Sequence, residues 1–445
     1  MNPKPKSFAS TALFALFSLG IGCFALAVLT AAGCGDEDNA SGRDDASTDA
    51  AELWDAGLAD GDTDGDTDGA QQKPDAAANA DAAANADASA NTDAVANTDA
   101  AASADSGSGV DGASSPDAGV TCPYVVYVDT AGDDALDGAS PATAVATLER
   151  VQEILVAASP PCDVEVRINQ GTYQGQTVIW TYYHPSYKVQ LMPIDYQGGG
   201  ISSIAGRPLF DGQGLPYLFR LDVASGQPTN IEFIYLRFEG YRQFALHFLG
   251  NRNDFAAGWN GYNRVFGCYF YDIGNLASPG GPGYGALDLV NSRLNTIRNN
   301  HFVQIENAPS DAGLMHAVYL AHGSGENEIS NNQFHEISGD PIRARDDSSQ
   351  NQILDNVFSD TGSSAFYSDW WCDMSQNPNC TKPGGECPSW ENEFRNNELH
   401  CGYDGASLST FTYFQGETYV PTWCTDHFPD GWARLYTSGN TKTCP

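Results

Sequence analysis

His247, Asp288, Tyr319, Arg343 and Tyr367 each stand third in a short, mostly apolar phrase. The phrases are Ala245-Leu246-His247-Phe248, Ala286-Leu287-Asp288-Leu289, Ala317-Val318-Tyr319-Leu320, Pro341-Ile342-Arg343-Ala344 and Ala365-Phe366-Tyr367-Ser368. Two residues further on lies a second set, Leu249, Val290, Ala321, Arg345 and Asp369. His316, Asp340 and Asp346 lie at the margins, and Trp259, Trp370 and Trp371 in adjoining segments. These side chains suit sugar chemistry. Imidazole and carboxylate groups move protons, aromatic faces stack on sugar rings, and an arginine fork grips a carboxylate at two points. Arg343 and Arg345, so close together in an acidic chain, point to an anionic polysaccharide such as a uronan. For β-elimination, Arg345 would neutralise the uronate carboxylate, and Tyr319, His247 or Arg343 would take the adjacent proton. Asp288, Tyr367, Asp369, His316, Asp340, Trp370 and Trp371 complete the candidate binding set. The structural alternative is that Arg343 and Arg345 pair with Asp340, Asp346 and Asp369 as a solvated ladder.

Such residues converge only if their segments stack. Alternation along a strand sends Leu246, Leu287, Val318, Ile342 and Phe366 inward, and the five polar partners outward in one stripe, about 4.8 Å per step. A second phrase supplies the stacking. Asn295-Thr-Ile297-Arg-Asn-Asn300-His-Phe302 recurs from Asn327 to Phe334, from Asn351 to Phe358 and from Asn392 to Leu399, with weaker copies ending at Phe270 and Phe238. The closing apolar residues are spaced by 32, 32, 32, 24 and 41 residues. Units of this size cannot bury an apolar face alone and must pile on one another. Piling brings Asn300, Asn332, Asn356 and Asn397 into an amide ladder beside columns of Ile and Phe. The spacing predicts an all-β chain, a right-handed parallel β-helix of roughly nine or ten rungs.

The folded body opens with Tyr124-Val-Val-Tyr-Val-Asp129, followed by Asp133, Asp134 and Asp137, a helical run from Ala146 to Leu155 and a strand at Val164–Ile168. This string, with the asparagine repeats, resembles the pectate-lyase-like proteins over residues 121–410. The resemblance implies an N-terminal cap helix over the open end of the coil. It implies no single chemistry, because such proteins include lyases, hydrolases, epimerases and adhesins, and no lyase motif is present. The expected organisation is a cap at 121–172, the β-helix at 173–410 and a disulfide-pinned cover at 411–445. Long connections at Tyr271–Gly285, Val303–Ala317, Gly250–Tyr262 and Trp370–Trp390 would flank the outward stripe, where binding surfaces are built.

Lys4 and Lys6 precede an apolar run and Ala31-Ala32-Gly33-Cys34. This reads as an export signal over 1–33 with a lipobox-like end, so that Cys34 carries a lipid, and Gly35 favours the outer membrane. Residues 34–120 form an acidic Ala/Asp-rich segment too poor in apolar residues to fold, a disordered tether. From 36 to 120 it holds 21 acidic and 2 basic residues, and with the leader's +2 this leaves −19 of the total −36 on residues 121–445. Such acidity argues against nucleic acid as a partner. Cys122, Cys162, Cys372, Cys380, Cys387, Cys401, Cys424 and Cys444 suit four disulfides in an exported protein, and their spacing gives no zinc site. Cys268 takes a ladder position and reads as a buried thiol. Calcium is a candidate ligand of Asp288, Asp340 and Asp369, of the cap aspartates, or of Asp62 to Asp68, but no cofactor is assured.

Two functions follow. The first is a tethered surface protein that binds polysaccharide without assured catalysis. The alternative is a lyase acting on a uronate glycan by β-elimination. A hydrolase is less favoured, since its acid and base stand roughly 6.5–9.5 Å apart and the neighbours Asp346 and Asp347 would diverge.

Overall fold

The structure, a computed structural model, describes residues 121–199, 203–372, 385–414, 422–424 and 433–444. The signal, Cys34, the acidic tether and Cys380 lie outside the described residues. Three parallel sheets run side by side, and each complete turn of the chain adds one strand to each. Among the described residues one sheet has ten strands, from Tyr124–Val128 to Leu435–Ser438. A second has nine, from Thr172–Gln174 to Thr441–Lys442, and the third has eight, from Val178–Trp180 to Thr412–Phe414. This is a parallel β-helix. Each strand bonds only to the strands one turn above and below, so every rung depends on its neighbours.

Columns of like residues fill the interior. Phe270, Phe302, Phe334 and Phe358 stack with ring centroids 4.5, 5.1 and 4.7 Å apart. The asparagines pile beside them. Asn300 Nδ2 donates to Asn332 Oδ1 at 3.0 Å, Asn332 to Asn356 at 3.0 Å, and Asn356 to Asn397 at 3.1 Å. The bend comes one residue earlier than the ladder position. Asn299, Asn331, Asp355 and Asn396 hold φ of 56–59°, a left-handed conformation that Asn and Asp tolerate. A second ladder, at the head of the same phrase, joins Asn295, Asn327, Asn351 and Asn392 at 2.8, 2.9 and 3.1 Å. Cys268 continues the first ladder as a buried free thiol, its N–H bonded to Asn300 Oδ1.

A helix covers the N-terminal end. Thr147 caps the helix Leu148–Ala158, accepting from Arg150 N, and the helix lays Leu148, Val151, Ile154 and Leu155 against the core. The strands Tyr124–Val128 and Val164–Ile168 are themselves the first two members of the ten-stranded sheet, so cap and solenoid overlap. Residues 412–442 likewise supply a final rung of three strands and are more than a cover. Cys122–Cys162 ties the first element, and Cys387–Cys424 and Cys401–Cys444 pin the last rung. Cys372 is also disulfide-bonded. Among the described residues no helix is long and apolar enough to cross a membrane.

One expected alignment shifts by a residue. Ile342 pairs with Tyr367, not Phe366, so Tyr367 points inward and is fully buried. Its hydroxyl accepts from Asn392 Nδ2 at 2.8 Å, which lets the phenol sit in the interior. Phe366 is buried too, against Phe358, in the turn before the strand. Two adjacent buried aromatics hide the strand phase that alternation would otherwise reveal.

Candidate functional site: the outward face of the eight-stranded sheet

The corrected outward column reads Ile179, Arg220, His247, Asp288, Tyr319, Arg343, Ser368 and Tyr413. Four of the five side chains expected there are present, with Ser368 in the place given to Tyr367. Beside it run Asp222, Leu249, Val290, Ala321, Arg345 and Trp370. Trp370 thus takes the place expected for Asp369. Asp369 falls in the inward column of Ala344, is fully buried, and pairs with Arg434 while accepting from Ser389 N. Trp371 is buried as well and cannot offer a face to a sugar.

Both candidate arginines are already engaged. Arg345 is 3% exposed, and its Nε and Nη2 grip the Glu386 carboxylate at 2.6–3.1 Å. Its guanidinium lies 4.5 Å from the Trp370 ring centroid, and Nη1 reaches Tyr319 Oη at 3.4 Å. Burial alone would lower the Arg345 pKa, but Glu386 holds it well above the ordinary value. Arg343 donates to Asp340 Oδ2 at 3.1 Å and to Ser368 Oγ at 3.0 Å. Asp340 also accepts from the backbone N–H groups of Ser364 and Ala365. Burial raises the Asp340 pKa, but Arg343 and these N–H groups outweigh it and leave the carboxyl below its usual range. His316 is buried with Nδ1 2.6 Å from Asp340 O, and burial, aided by Arg343, pushes its pKa down to about 3. These groups are structural in their contacts.

A buried charged cluster, missed by sequence reasoning, lies next to Arg345. His322 Nδ1 is 2.9 Å from Asp346 Oδ2, Cys387 N donates to Asp346 Oδ1, and Glu386 accepts from Cys372 N. Candidate ligand atoms of His322, Asp346 and Glu386 lie within 4.8 Å of one another. Arg345 pairs with Glu386, and Arg252 lies in the field of Glu386 and Asp346, so guanidinium groups offset the two carboxylates and the cluster offers a cation little attraction. Nor do Asp288, Asp340 and Asp369 fit a shared calcium ion, since arginines and amide N–H groups hold two of them and point them apart. In the cap, Asp133 and Asp137 each bond the N–H two residues on, and Asp134 bonds Ala146 N and Thr147, which shapes the loop.

His247 and Asp288 differ from all of these. They occupy adjacent rungs, with His247 Nε2 3.6 Å from Asp288 Oδ2, beyond hydrogen-bond length. Their side chains are 12% and 11% exposed. His247 Nδ1 and Nε2 and Asp288 Oδ1 are buried atoms without a hydrogen-bond partner. Burial, with Arg220 adding, pushes the imidazole pKa down to about 3, and burial pushes the carboxyl up to about 7. Both groups are thereby held toward their neutral forms. An aromatic platform flanks them: the Phe244 ring meets His247 edge-on at 4.7 Å and stacks on Tyr217 at 5.3 Å. Tyr319 follows on the next rung. Extending the column alignment by one phrase, to Phe219-Arg220-Leu221-Asp222, would have found Arg220; nothing in the spacing signals Glu386, 41 residues from its partner. A concavity of about 580 Å³ at the capped end, lined by Thr147, Thr172, Gln174 and Gln176 among others, shares no residue with this column.

The family model for the right handed beta helix region matches residues 226–382. No curated protein matches the chain. Among solved structures, a rhamnogalacturonan lyase is similar at 14% identity and a TM-score of 0.38, over 62% of this chain and 68% of that one. An alginate lyase from Paenibacillus sp. str. FPU-7 is similar at 13% identity and a TM-score of 0.39, over 66% and 93%. A surface adhesin of Streptococcus pneumoniae is similar at 10% identity and a TM-score of 0.33, over 66% and 73%. Sheet topology and matched region agree on the architecture: the described body is a right-handed parallel β-helix.

Proposed function

We propose that this protein binds polysaccharide along the outward face of the eight-stranded sheet and is held at the outer membrane by a lipid on Cys34. One observation carries the binding reading. On a scaffold whose ladder asparagines are paired rung by rung, His247 and Asp288 keep three buried polar atoms without partners in an outward column. Buried polar atoms are normally bonded, and an exception of this kind points to a ligand. Sugar hydroxyls both donate and accept, and the Phe244–Tyr217 platform suits the apolar face of a ring.

The lyase alternative is weakened at its first step. Glu386 occupies the fork of Arg345, and Asp340 holds Arg343, so neither is poised for a uronate carboxylate. The test is electrophoresis of the full-length protein through gels cast with soluble glycans. Retardation by at least one glycan, weakened by Asp288→Ala, is expected; unchanged mobility in every gel overturns the reading. Absorbance of unsaturated product from a uronate panel, with or without calcium, would replace binding with elimination. Cys34→Ala is expected to move the protein from the membrane fraction to the soluble one.

A further inference from the structure

The polar groups of this face are of two kinds, and the division bears on substrate class. Each guanidinium on the two outward columns faces a carboxylate of the protein itself. Arg220 pairs with Asp222 at 2.6 Å, Arg343 with Asp340 at 3.1 Å, and Arg345 with Glu386 at 2.6 Å. Arg252 lies within the field of Glu386 and Asp346. The unpartnered buried atoms of the first column are Arg220 Nε, on a guanidinium held by Asp222, and those of His247 and Asp288, a mixed set of nitrogen donor, nitrogen acceptor and carboxyl oxygen.

We infer that the His247–Asp288 pair takes the hydroxyls of a neutral glycan, a polymer of uncharged sugars, and not the carboxylates of a uronan. The inference rests on the polysaccharide-binding reading above and narrows it. Vicinal hydroxyls complement the pair, each giving one hydrogen and accepting another. A ligand carboxylate would find no guanidinium on the two outward columns that lacks a protein carboxylate of its own. The wider field acts in the same direction, because residues 121–445 carry −19 and repel a polyanion at long range. Aromatic stacking by Phe244 and Tyr217 contributes equally to charged and uncharged rings, so it does not offset that repulsion.

The test compares the full-length protein on arabinoxylan and β-galactan with polygalacturonate and alginate, by affinity electrophoresis and titration calorimetry at low and high salt. Binding to a neutral polymer, little changed by salt, is expected, with no retention by either uronate. Asp288→Ala is expected to weaken that binding about tenfold, the cost of one lost hydrogen bond at a buried group. Asp288→Asn, which keeps a donor and an acceptor of the same shape, recovers part of the loss and guards against a folding defect in the alanine variant. His335→Ala, on the outward face of another sheet, serves as the unchanged control. Retention by the uronates alone overturns this inference and leaves the polysaccharide reading standing. Retention by no polymer overturns both.

Discussion

The asparagine ladders and the His247–Asp288 pair are built from the same device, polar side chains stacked one per rung, yet they end in opposite states. Asn332 makes four bonds: it accepts from Asn300 N and Nδ2 and donates to Asn356 Oδ1 and Ile297 O. His247 and Asp288, also stacked, leave three buried atoms without partners. The difference lies in the chemistry of the groups that are stacked. An amide carries both donor and acceptor, so copies of itself satisfy it indefinitely along the coil axis. An imidazole above a carboxyl has no such repeat. At these two rungs the stacked unlike groups leave those atoms unpaired within the fold.

Three experiments would break or sharpen this contrast. The largest effect is expected from Asn332→Ala, which orphans Asn300 N–H and the Ile297 carbonyl in a fully buried column. A loss of about 4 kcal/mol or more in denaturant unfolding is expected; a loss below about 1 kcal/mol would mean that the ladder is decoration. Next comes Arg345→Met, which leaves Glu386 buried without its cation. It should cost about 3–5 kcal/mol, whereas Arg345→Met with Glu386→Gln should recover much of that loss. A double variant as unstable as the single one would show that the pair does more than neutralise itself.

The smallest effect is a slope. Asp288, with its pKa raised to about 7, contributes stability that is complete below the unfolded value near 4 and fades as pH rises through 7. His247, lowered to about 3, acts in the opposite sense and costs stability as pH falls below about 6.5. Between about pH 4 and 6.5 the folded pair and the unfolded chain each bind one proton, and their contributions cancel. Asp288→Asn should expose the histidine alone. Relative to the parent, its stability should then rise with pH by up to about 1.4 kcal/mol per unit in that window. Unfolding midpoints measured at half-unit intervals would show it, and parallel profiles would mean that the two groups form a charged pair instead.

How much of this was legible depends on whether a contact repeats. The coil could be read because Asn300, Asn332, Asn356 and Asn397 recur beside the same Ile and Phe, and their partners are copies of themselves. The outward column was legible for the same reason from His247 to Arg343. It slipped at Tyr367, where Phe366 and Tyr367 are both buried and alternation carries no phase. Neither the Arg345–Glu386 pair nor the Asp369–Arg434 pair could be read, because each joins a rung to an insertion 41 or 65 residues away. Uncommitted arginines and committed ones look alike in a sequence. The expectation of an anionic substrate rested on two such arginines, whose partners the spacing does not reveal.

The ladder bonds stay within 3.0–3.1 Å although the chain between successive asparagines runs 32, 24 and 41 residues. The spacing of the spine therefore registers none of the surplus length. A protein engineer could lengthen, shorten or graft the lateral excursions one at a time and expect the backbone of the coil to take no notice. The same tolerance gives natural variation a free hand in reshaping what the molecule meets, with little risk to how it stands.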